Sequence, residues 1–240
     1  MNLTTLRARL AILRACPGGC AWVASLPADA TAEDAWRRCP RADWLVTVLG
    51  RLAERGVLAR NVPLQAMCAA VRPALDPLPR PYSVPHAAFE IVTRFVQAPS
   101  EETYRPLFRA TSQASDLYRD TLRVTTASVY DWTNDWLERD DVPPIPTADE
   151  RVEAVAHAVY SAATAAQYFT YHQEPSAMSA SDRGMVHTLS VQAQWAVAAA
   201  MVSCGVADAA PLVEALRAAI PWPVVADALD RLDATADLPR

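Results

Sequence analysis

The chain has 240 residues, of which 52% are hydrophobic, only 6 Gly and a formal net charge of −5. That length and apolar content bury a sizeable core, as one long domain or two modest ones, and argue against disorder. Residues 1–123 carry 16 Arg against 11 acids and residues 124–240 carry 6 Arg against 16 acids, with no Lys anywhere. The first half is too mixed for the clustered basic footprint of a nucleic-acid binder, so no nucleic-acid partner is expected. The two halves can attract each other, or the acidic half can face a basic partner.

Leu3, Leu6, Leu10 and Leu13 recur at three- and four-residue steps with Arg7, Arg9 and Arg14 around them, which predicts an amphipathic helix over 3–15. Cys16-Pro17-Gly18-Gly19-Cys20 is expected to stop it, and 21–26 to form a short apolar turn ended by Pro27. Thr31 with Asp34 reads as a capping-box variant opening a helix that turns Ala35, Trp36 and Cys39 inward. Pro40 opens the next, to about Arg55, whose apolar stripe is Trp44, Leu45, Val48, Leu49 and Leu52 and whose stop is Gly56. A further helix runs from Pro63 to about Ala74, with Leu64, Met67, Cys68 and Val71 inward.

Residues 76–82 are a stiff Pro-rich loop. Helix resumes near Val84, breaks at Pro99-Ser100, and continues to about Arg123, with Glu101 and Glu102 at its positive end. Residues 124–138 are read as helix. Residues 139–147, with three Pro in four positions, are the clearest boundary in the chain. They would separate an N-terminal helical region (1–138) from an Ala-rich bundle (148–240), although both can belong to one continuous domain. Thr147 with Glu150 caps a helix to about Tyr171 with Val152, Val155, Val159, Ala163 and Ala166 at helical spacing. Met185–Cys204 is apolar nearly all round and is expected to be the central buried helix, and two short helices, 208–219 and 222–235, follow. No period-2 strand is found. The prediction is an all-α, multi-helix array of about nine to eleven helices with no sheet.

The five Cys are an odd number with no secretory signal before them, and no apolar run is long enough for a membrane span, so a reduced cytoplasmic setting is expected, with no membrane partner. Cys16 and Cys20 have four-residue spacing without a second pair, which is not a zinc knuckle. His86, His157, His172 and His187 sit in no ligand motif, and no nucleophile elbow or phosphate loop exists. Neither a metal nor a cofactor is therefore expected, and no catalytic residue is assigned. Cys39 lies near Arg37, Arg38 and Arg41, which could activate a thiol, but a core thiol beside Trp36 is the better reading. Asp131, Asp135 and Glu138 share a face if 129–138 is helical, Asp140 and Asp141 extend it, and Trp132 and Trp136 lie beside it. A plain solvated acidic face is the commoner meaning of such a run. Aromatic-plus-charge patches also recur at interfaces, so these seven residues are the candidate partner surface.

Cys16-Pro17-Gly18, Trp22-Val23, Ala35-Trp36, Cys39 and Asp43-Trp44-Leu45, together with the ending Arg217–Val225, resemble the motifs of a group of Ala-rich, all-helical immunity-type proteins of bacterial polymorphic toxin systems. The resemblance implies a cytosolic, non-enzymatic protein that binds and neutralises a toxin. Trp22, Trp36, Cys39, Asp43 and Trp44 are read as a structural corner locking helices together, with Asp43 favouring the positive end of its helix. The expected partner is a protein, such as a toxin domain. The alternative is a phage-derived or self-assembling helical scaffold with homo-oligomer contacts through Trp132 and Trp136.

Overall fold

The structure is a computed structural model, and it describes residues 1–76, 83–122, 147–169, 180–205 and 208–234. Among these residues every named element is a helix. There are eleven: α1 (Leu3–Ile12), α2 (Pro17–Ser25), α3 (Ala32–Arg38), α4 (Ala42–Glu54), α5 (Asn61–Leu75), α6 (Ser83–Gln97), α7 (Glu101–Leu122), α8 (Ala148–Phe169), α9 (Ala180–Cys204), α10 (Ala210–Ala219) and α11 (Trp222–Ala234). The only β pairing among them is an isolated antiparallel bridge between Asn2 and Thr31. The all-α array is as the periodicity predicts. No described helix is long and apolar enough to cross a membrane.

Local sequence sets many of the ends. Thr31 Oγ1 accepts from Asp34 N while Thr31 N donates to the Asp34 carboxylate, completing the capping box of α3. Thr147 and Glu150 form the same reciprocal pair ahead of α8. Gly56, at φ 72°, closes α4: its N–H donates to Ala53 O and that of Val57 donates to Leu52 O, the pair of hydrogen bonds of a Schellman end. Helix α1 ends the same way with Arg14 at φ 51° in the glycine position, where an L side chain costs about 1–2 kcal/mol. It therefore stops at Ile12, earlier than its apolar stripe suggests.

The segment expected to be only a helix stop and a turn is itself a helix. Pro17 stands in the first turn of α2, where its missing N–H is no loss and its fixed φ suits the helix. Gly18 and Gly19 follow it into that turn.

Helices α8 and α9 pack along each other, α9 also lies on α4 and α5, and α8 carries α6 and α7 on another side. Helix α10 covers α5, and α11 sits on α4. One apolar core runs through all of this, with residues from both sides of 139–147. The centre is shared in a way the sequence pattern does not anticipate. Helix α8 is buried nearly all round from Val152 to Ala166, including Glu153, His157 and Ser161, whereas α9 keeps Gln192, Gln194 and Trp195 only half-buried. Alanine is what allows this, since a methyl side chain lets helix axes approach. At Gly50 of α4 the approach is closer still: a Cβ there would lie 2.8 Å from Ser190 Cβ of α9.

Candidate functional site

The corner expected from the first helices exists, and it has a hollow in it. Helices α1, α2, α3, α4 and α11 converge around an apolar pocket of ≈ 60 Å³. Trp36 is its buried floor, at 6% exposure. Trp22, Trp44 and Trp222 are half-buried and form its walls. Trp22 and Trp44 meet at 6.3 Å between ring centroids, and Trp36 and Trp222 at 6.4 Å. Both pairs are tilted, at 47° and 43°, so four large rings enclose space rather than stack it away. At Gly19 of α2 a Cβ would crowd Cys16 Sγ at 3.1 Å, whereas its 3.5 Å to the Trp44 ring would be ordinary contact.

A buried ion pair supports the wall formed by Trp44. Asp43 is fully buried, and it accepts from Arg41 Nε at 3.0 Å and Arg41 Nη2 at 2.8 Å. The Arg41 guanidinium also lies 4.6 Å over the Trp44 ring. Asp43 does stand in the first turn of α4, but its carboxylate is held by a planar cation. The backbone at the end of α3 is tied from afar: Arg217 of α10, 181 positions from Trp36, donates its Nε to Trp36 O at 3.1 Å and its Nη2 to Cys39 O. These are carbonyls that the end of a short helix leaves unpaired.

Among the described residues that line the pocket, none is charged. Cys16 and Cys39 both line the pocket, and burial pushes their thiols up to about 11 and about 12. The neighbouring arginines therefore do not turn Cys39 into a thiolate. Its Sγ instead donates to Arg41 O at 3.4 Å. The Asp43 carboxylate behind the Trp44 wall is paired with Arg41. What such a site offers is shape and apolar contact.

All five residues of the expected motif, Trp22, Trp36, Cys39, Asp43 and Trp44, are thus brought together. The local pattern did not reveal Arg41, Arg217 and Trp222 as partners. Arg41-x-Asp43 was visible as a nearby opposite pair, whereas Arg217 and Trp222 arrive from the far end of the chain. Asp131, Trp132, Asp135, Trp136, Glu138, Asp140 and Asp141, the expected partner surface, lie outside the described residues.

A second polar grouping lies in the bundle. Glu153, His157 and Ser161 fall at four-residue steps on α8, all buried. Tyr118 of α7 stacks on His157 at 4.8 Å and on Tyr160 at 5.8 Å, and Trp195 of α9 meets His157 at 6.3 Å. Burial pushes the imidazole down to about 4. Ser161 Oγ and Gln192 Oε1 are buried without a hydrogen-bond partner among the described residues. His187 is elsewhere, at 3.3 Å from Glu54 and 3.2 Å from Arg51. No group of three or more metal-ligating side chains forms among the described residues.

Compared with protein-family models, with curated proteins and with solved structures, the chain finds no match.

Proposed function

We propose that this chain is a protein-binding protein that acts by occlusion, as an immunity-type inhibitor of a bacterial toxin does, with no chemistry of its own. The observation that supports this reading most is that the two stretches carrying the resemblance, 16–45 and 217–225, meet in space around one pocket. A sequence pattern whose separated halves build a single tryptophan-walled feature is a constructed unit rather than a chance run. Trp and Arg, the residue types that supply most of the energy of protein interfaces, are concentrated there. The acidic stretch with Asp131, Asp135, Glu138, Asp140 and Asp141 is the second contact, suited to the basic cleft of a nuclease-type toxin.

The test is co-expression with the toxin-like reading frame beside its gene. Host growth should be restored by this chain and lost without it, and absence of any protection overturns the reading. Replacing Asp135, Glu138 and Asp140 together by Ala should weaken binding and flatten its salt dependence. If both stay unchanged, the acidic stretch is not a contact.

A further inference from the structure

We draw no further inference here: the strongest candidate, the tryptophan-walled cavity where α1, α2, α3, α4 and α11 converge, is an apolar gap between core side chains, and nothing in the structure shows what covers it.

Discussion

The corner around Trp36 and the seam between α8 and α9 are both apolar, yet they are filled by opposite means. The corner uses four indoles, rigid plates whose tilted contacts leave a cavity between them. The helices that meet there are rich in small residues, with Ala154, Ala158, Ala162 and Ala165 of α8 and Ala193, Ala196, Ala199 and Ala200 of α9 all at 0% exposure. Polar groups follow the same division. In the corner the buried ion pair Arg41–Asp43 is satisfied and braces a wall. On the two helices of the seam, Ser161 and Gln192 keep buried oxygens without a hydrogen bond among the described residues. Helix α4 belongs to both, with Trp44 in the corner and Gly50 against Ser190 of the seam. Large rings leave a hollow between them, and small residues let two helices approach.

Breaking the corner's brace should have the largest effect. Asp43→Ala leaves the Arg41 guanidinium buried without its carboxylate, and removing one member of a buried pair costs about 3–5 kcal/mol. Denaturant unfolding should show that loss, and Arg41→Met with Asp43→Leu should recover a large part of it. A loss under about 1 kcal/mol for Asp43→Ala would mean the pair is solvated. If Asp43→Ala abolished binding while stability stayed native, Asp43 would itself be a contact rather than a brace.

The seam's largest response should be to acid. His157 titrates near 4 in the fold because burial disfavours its charged form, against an ordinary value of 6.5. Between these values the unfolded chain binds the proton and the folded chain does not. Stability is therefore full above about pH 6.5 and falls as the pH drops toward 4, by about 3 kcal/mol for this one group. His157→Leu should remove that component, seen as a shallower acid limb in unfolding measured from pH 7 to pH 4.5. An identical limb in the variant would assign the acid sensitivity to other groups.

The close crossing should come next. Gly50→Ala places a Cβ 2.8 Å from Ser190 Cβ, and overpacking of this kind costs about 1–3 kcal/mol. Ser190→Gly should relieve it, so the double variant should be more stable than the sum of the two single changes. Simple additivity would show that α4 and α9 adjust freely.

The sequence disclosed what is local. Leucine spacing in α1, the caps at Thr31 and Thr147 and the stop at Gly56 are each set within about one or two turns, and each holds. What it hid is set by distance or by context. Trp222 stands beside Trp36, and Arg217 on its carbonyl, only after the chain has folded back on itself. Pro17-Gly18-Gly19 reads as a stop because Pro and Gly end helices, yet in this position Pro begins one. Glu153, His157 and Ser161 fall at four-residue steps on α8, and only tertiary packing buries them, with Tyr118 of α7 stacked on His157. The five motif residues were therefore recognisable as a corner, while the cavity they leave was not.

The smallest effect expected is also the one that separates the two packing styles most cleanly. Ser161 sits at 0% exposure in a run of alanines, with its Oγ lacking a hydrogen-bond partner among the described residues. Other buried hydroxyls on the same kind of helix do find one: Thr47 donates to Asp43 O at 2.7 Å and Ser190 to Val186 O at 2.8 Å. Removing a satisfied buried hydroxyl generally costs about 1 kcal/mol, whereas removing an unsatisfied one returns its desolvation penalty. Ser161→Ala should therefore be neutral or stabilising by up to about 1 kcal/mol, while Thr47→Val at the corner should be destabilising by about that amount. Parallel thermal melts decide it. If Ser161→Ala destabilised as much as Thr47→Val, the Ser161 hydroxyl would be satisfied in solution, and the seam would be as fully bonded as the corner.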